Sequence, residues 1–186
     1  MNTELRIFPV AAAHRGRIAE LLAATGAFSE EEMAVALELF DESLSAAAPA
    51  AGVEPDYNFL GVFTPERQLA GFACYGPTPD TDGTFDLYWL AVDPALAGNG
   101  AGTLLLSEVE QRLRSKDARM VVAETSGRDD YEATRWFYAR RGYTEAGRVA
   151  DFYAWSDDRI IYTKRLQPAA AGDQRRTQEH QGVNRA

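Results

Sequence analysis

A chain of 186 residues with 46% hydrophobic side chains has enough apolar mass to bury one core and too little length for two comfortable domains. Its 28 acidic against 19 basic residues leave a formal charge of -9, the wrong sign for binding a nucleic-acid backbone and a favourable one for a cationic amine. The single cysteine, Cys74, excludes an internal disulfide framework, and His14 and His180, far apart in sequence, offer no metal-ligand cluster, so no metal is expected.

Leu5–Val10 reads as an opening strand, after which Ile18, Leu21 and Leu22 have helical spacing that Gly26 ends. Ser29 followed by Glu32 has the form of a capping box, and Met33, Leu37, Phe40 and Leu44 then recur on one helix face up to the Ala/Pro stretch at 46–50. Strand-like runs follow at Tyr57–Phe63, Leu69–Tyr75 and Phe85–Val92, separated by turn residues, and predict an antiparallel meander. Beyond Gly102, the positions Leu104, Leu105, Val109 and Leu113 mark an amphipathic helix that leads to the β-branched run Arg119–Glu124. A crossover of that length lays the new strand parallel to the earlier one. Thr134–Arg141 reads as a further helix closed by Gly142, and Tyr143–Phe152 and Arg159–Leu166 as the last two strands. The expected fold class is therefore α+β, with a mixed, mostly antiparallel central sheet. Residues 1–166 form the expected domain, and 167–186, without periodicity, an expected disordered tail. No run of eighteen apolar residues and no signal-like start occurs, so the reading is cytoplasmic, without membrane attachment.

The segment Leu90–Leu105 runs from a buried strand through three alternating glycines, Gly98, Gly100 and Gly102, into a helix. Residues without a Cβ let successive amides turn towards one point, and at a helix start these amides and the dipole bind anionic oxygen. A pyrophosphate fits there. The dinucleotide fingerprint needs its third glycine where Thr103 stands, and the P-loop needs Gly-Lys-Ser/Thr, so neither matches.

Ala97-Gly98-Asn99-Gly100-Ala101-Gly102, following Val92-Asp93-Pro94, resembles the main motif of the GNAT superfamily of acetyl-CoA-dependent N-acetyltransferases, Gln/Arg-x-x-Gly-x-Gly/Ala. Both essential glycine positions match, while Ala97 replaces the leading Gln/Arg. The resemblance implies a GNAT-like sheet flanked by helices on both faces, with acetyl-CoA as co-substrate. The backbone of Leu90, Ala91 and Val92 would then pair with the pantetheine arm. The amides of Gly98, Asn99, Gly100, Ala101, Gly102 and Thr103 would hold the pyrophosphate.

Acylating an amine requires a neutral nucleophile, a stabilised oxyanion and a proton for the departing thiolate. Glu124, at the end of its strand beside the Phe85–Val92 run, is the candidate general base, acting through a water. Phe137-Tyr138-Ala139-Arg140-Arg141-Gly142-Tyr143 is similar to the superfamily's second signature, which implies Tyr138 as general acid. A phenol of pKa about 10 can protonate a thiolate whose conjugate acid is near 8.5. A backbone amide near Val92 is the expected oxyanion donor. The closing segment, Asp151-Phe152-Tyr153 and then Asp157-Asp158-Arg159, is similar to that of ribosomal-protein alanine N-acetyltransferases. In those relatives the base and acid positions correspond to Glu124 and Tyr138, and Tyr131 stands where a cofactor-contacting Asn is usual.

Cys74 lies mid-strand with no histidine near it in sequence, and is read as a packing residue. Trp89, Trp136 and Trp155 are expected in the core, and Arg135, Arg140 and Arg141 as solvated helix-surface cations. Tyr153 and Asp157 are acceptor-side candidates, since an acidic and aromatic edge suits an ammonium group. The resemblance implies a primary amine as acceptor, either a peptide N-terminus or lysine or a small molecule. Pairing of two copies through exposed strand edges is a common outcome for such sheets. The alternative from another class is a CoA-binding sensor or scaffold that keeps the fold without turnover.

Overall fold

A computed structural model describes residues 4–45 and 56–166; the Ala/Pro stretch at 46–50 and the expected tail lie outside the described residues. The elements follow in the order β1 (Arg6–Pro9), α1 (Arg15–Thr25), α2 (Glu30–Ser45), β2 (Asn58–Phe63), β3 (Leu69–Pro77), β4 (Thr84–Val92), α3 (Ala101–Arg114), β5 (Met120–Ser126), α4 (Glu132–Ala139), β6 (Thr144–Ala154) and β7 (Asp157–Arg165). Local signals act as expected at the first two helices. Gly26 stops α1 in the left-handed conformation. The Ser29 hydroxyl accepts from the Glu32 amide at 3.1 Å, while the Glu32 carboxylate accepts from the Ser29 amide at 2.8 Å, a reciprocal cap at the start of α2.

The strands form one seven-stranded sheet in the order β1-β2-β3-β4-β5-β7-β6. All neighbours are antiparallel except β4 and β5, which α3 joins as a parallel crossover. The two faces bury separate clusters. Under α1 and α2 lie Ile18, Leu21, Leu22, Phe40, Phe63, Leu69, Phe72 and Ala91. The opposite face carries Leu60, Val62, Phe85, Leu87 and Val121 with Leu105, Leu106, Val109 and Leu113 of α3 and Tyr138 of α4. Leu104, expected on the buried stripe, is exposed, and Leu106 takes its place, because α3 begins at Ala101 and its apolar stripe is set by contact with the sheet.

Two irregularities of β4 shape the molecule. Opposite β3, Cys74 pairs with Trp89 but Tyr75 pairs with Leu87, so Tyr88 is an unpaired bulge residue. The bulge shifts the alternation: Leu87 and Leu90 belong to the α3 side, Trp89 and Ala91 to the α1/α2 side. On the other edge, β4 pairs with β5 only from Thr84–Met120 to Leu87–Ala123. Beyond those residues β4 continues on β3 and β5 continues on β7 as far as Ser126–Arg159. The parallel pair therefore opens into a notch from Tyr88 and Glu124 onward.

Of the tryptophans expected in the core, only Trp89 packs there; Trp136 and Trp155 are exposed, the latter at 91% in the β6–β7 turn. Cys74 is buried, and burial pushes its thiol far above its ordinary pKa, which suits packing and not nucleophilic attack.

Candidate active site

Where β4 ends, Asp93 fixes the path of the chain. Its amide donates to the Ala70 carbonyl at 2.8 Å, and its carboxylate accepts from the Ala95 amide at 2.9 Å and from Arg17 of α1 at 2.5 Å. A short 3-10 turn, Pro94–Leu96, follows. Gly98 and Gly100 then adopt φ values of +81° and +83°, which an L side chain rarely tolerates. The first helical bond of α3 runs from the Leu104 amide to the Gly100 carbonyl at 2.9 Å, so the amides of Ala101, Gly102 and Thr103 precede it, and no side chain caps them. Gly102 serves another purpose: a Cβ there would meet the Phe137 ring at 3.1 Å, so its absence lets α4 approach α3.

The loop, the start of α3, the end of β4 and one face of α4 enclose a cavity of about 450 Å³. Seven of the residues expected at the cofactor, Leu90, Val92, Gly98, Gly100, Ala101, Gly102 and Thr103, line it. Ala91 faces the α1/α2 core, and Asn99 is exposed, with its amide donating to the Leu96 carbonyl at 3.2 Å. Tyr131 lies outside the lining; its hydroxyl donates to the Ala27 carbonyl and ties the approach to α4 to the α1–α2 loop. No acidic residue lines the cavity, and it has a cation at its edge, Arg141. Such a lining suits an anionic diphosphate joined to an apolar arm.

Tyr138 lines the same cavity from α4, 6% exposed and packed among Phe137, Tyr143 and Tyr162. Burial pushes its phenol well above the usual value, so the hydroxyl stays protonated and can donate but not abstract. Glu124 stands on the other face of the sheet. Val121 and Ala123 of β5 belong to the α3-side core, and strand alternation turns Glu124 away from it. There its carboxylate is paired with Arg159, whose guanidinium also covers the Phe152 ring at 4.8 Å. The structure thus brings Tyr138 and the glycine loop together, and separates Glu124 from both by the thickness of the sheet, with the β4–β5 notch between them.

Two residues to which the sequence assigned no role in the site gain weight here. Asp86 lies on the Glu124 side of β4, half-buried, and accepts from the Thr78 hydroxyl at 2.7 Å. Burial raises its pKa, the Thr78 hydrogen bond opposes this, and Glu124 adds to the rise. A lone carboxylate inside the apolar run Phe85–Val92 was the signal available. Arg141, expected to be solvated, instead lines the cavity. Asp157, an acceptor-side candidate, is buried and accepts from the Ser126 hydroxyl, locking β7 onto β5. Tyr153 remains half-exposed near Glu124, and Tyr57 lies 5.5 Å from Tyr88 on the same side. Among the described residues no group of three or more His, Cys, Asp or Glu side chains is placed to hold a metal ion, and no helix is long and apolar enough to cross a membrane.

The family model of the acetyltransferase (GNAT) family matches residues 10–143, from the end of β1 through the glycine loop to the close of α4. The chain belongs to the GNAT family. Its members are acyltransferases. Among solved structures, a GNAT-family protein from Desulfovibrio desulfuricans shares 38% identity, with 88% of this chain and 99% of that one covered and a TM-score of 0.78. The ribosomal-protein-S18-alanine N-acetyltransferase of Escherichia coli matches the fold at 18% identity, 90% and 97% coverage and a TM-score of 0.66. A Salmonella typhimurium protein, solved with its cofactor acetyl-CoA, does so at 19% identity, 91% and 98% coverage and a TM-score of 0.69. No curated protein matches this sequence.

Proposed function

We propose that the protein transfers an acetyl group from acetyl-CoA to a primary amine by direct attack in a ternary complex. The observation that carries this reading is the cavity in which the uncapped start of α3 and the Tyr138 hydroxyl share one wall system beside the open end of β4. Acetyl-CoA supplies an activated acyl group whose leaving thiolate needs a proton. The amides at the start of α3 hold the diphosphate, and the edge of β4 beyond the Tyr88 bulge, free of β5, offers backbone donors to the acyl oxygen. Tyr138 keeps a proton facing the cavity for the sulfur. Glu124, across the notch, takes the proton of the incoming amine through water.

The acceptor side supports an ammonium-bearing substrate. Asp86 and Glu124 with Tyr57, Tyr88 and Tyr153 form an acidic and aromatic wall, and burial with the nearby Asp86 charge pushes the Tyr88 phenol up to about 12, so that it stays a neutral donor. A peptide N-terminus, a lysine and a small amine all meet that chemistry. A second reading, a CoA-binding sensor, draws on the Glu124–Arg159 pair, which occupies the base at rest. Initial rates against both substrates test the mechanism. Direct attack gives intersecting double-reciprocal lines; parallel lines would require a covalent enzyme intermediate, and absence of turnover with every amine while acetyl-CoA binds would favour the sensor.

A further inference from the structure

The Arg141 guanidinium is held by three contacts that belong to two helices. It lies over the Phe137 ring, 3.7 Å from the centroid, and Nη1 donates to the Phe137 carbonyl at 2.8 Å. Nη2 donates to the hydroxyl of Thr103, the third residue of α3. The contact with Phe137 is what an arginine just beyond a helix end does for stray carbonyls. The contact with Thr103 is not: it carries a cation to the start of another helix, where the dipole already presents positive charge.

That position is unfavourable for the free protein. Among the described residues no carboxylate pairs with Arg141, none lines the cavity, and its sequence neighbour Arg140 is also a cation. Burial, and after it Arg140, lower its pKa. Its Nε–H is buried with no hydrogen-bond partner, although an arginine in contact with water normally solvates all of its donors. A cation that lines the cavity without a carboxylate partner, tied through Thr103 to the helix start whose amides no side chain caps, is complete only when an anion joins them. Ala97, whose small side chain leaves this wall without a polar group, lines the same cavity.

We infer that Arg141, anchored by Thr103 and stacked on Phe137, is a side-chain clamp on the diphosphate of the donor, supplying from the end of α4 the polar contact that Ala97 does not provide from the loop. This rests on the proposed use of a CoA thioester. It assigns to Arg141 a binding role, distinct from the chemistry at Tyr138, and it makes the diphosphate and not the 3′-phosphate the group recognised.

Calorimetric titration of acetyl-CoA and of its 3′-dephospho form into the full chain tests the assignment, with melting curves run on each variant. Arg141→Ala is expected to raise Kd for both ligands by about ten-fold or more, the effect of losing a charged hydrogen bond, and to flatten the salt dependence. Arg141→Lys, which keeps charge but not the fork, should recover only part of the affinity. Ala97→Arg placed in the Arg141→Ala background should restore several-fold. Thr103→Val, which removes the anchor and leaves the arginine, should weaken binding about three-fold even where Arg141→Ala fails to fold. Unchanged Kd in Arg141→Ala, or a loss confined to the ligand bearing the 3′-phosphate, would overturn the inference. Inorganic pyrophosphate separates the two readings: if it stabilises the wild-type chain and not Arg141→Ala while acetyl-CoA binds neither, the clamp stands and the proposed donor falls.

Discussion

Replacing Gly100 by alanine adds one methyl group to open space, since no atom lies within 4 Å of the position its Cβ would take. The cost comes entirely from the backbone, whose φ of +83° is one that L side chains rarely adopt. Holding an alanine there costs about 1–2 kcal/mol, which for a chain of this length lowers the melting temperature by roughly 2–8 °C. The loop escapes that cost only by rotating Gly100 to negative φ, which turns the uncapped amides of α3 away from the cavity. Gly100→Ala should therefore melt earlier and also bind acetyl-CoA at least about ten-fold more weakly, a loss near 1.4 kcal/mol. Gly16→Ala is the control, because Gly16 lies in α1 with nothing within 4 Å and no positive φ. The same added methyl there should raise stability by about 0.4–1 kcal/mol and leave binding untouched. Melting curves and calorimetry on the pair read both effects. If Gly100→Ala melts and binds like the wild type, the left-handed turn does not hold the donors, and the account of the loop fails.

Tyr138→Phe should lower kcat by about a hundred-fold while acetyl-CoA affinity stays within two-fold, roughly the range of one general acid; an unchanged rate would remove Tyr138 from the chemistry. Glu124→Gln should lower kcat by about ten-fold or more in steady-state assays, and if it is spared while Asp86→Asn is inactive, the base is Asp86 and not Glu124. The Asp86 carboxyl, its pKa raised by burial, contributes to stability fully below the unfolded value near 3.9 and loses that contribution as pH rises through the folded value. Asp86→Asn should thus melt above the wild type at pH 7 by a margin that shrinks as pH falls towards 4; a margin that grows on acidification would contradict the burial argument.

The parts of the fold written in local pattern were legible: the Ser29–Glu32 cap, the Gly26 stop, the meander and the spacing of the three loop glycines all act through residues within a few positions of one another. What escaped reading depends on pairing between distant segments. The Tyr88 bulge and the opening after Leu87–Ala123 are properties of register across three strands, which no single run of residues displays. For the same reason the sequence pattern ends this strand at Glu124, whereas β5 runs on to Ser126 against β7, and it gives no sign of the Glu124–Arg159 pair, 35 residues apart. Leu104 and Leu106 are equally apolar, and only the seating of α3 on the sheet decides which is buried. Arg141 has the sequence setting of any helix-end arginine, and only the seating of α4 against the start of α3 brings it to Thr103 and the cavity.

Release of free thiol from acetyl-CoA, followed against a panel of peptide N-termini, lysine peptides, polyamines, amino acids and aminoglycosides, tests acetyl transfer to an amine most directly. The expected result is release that depends on both acetyl-CoA and one class of acceptor, and that falls about a hundred-fold in Tyr138→Phe. Thiol release that is indifferent to every amine would contradict it.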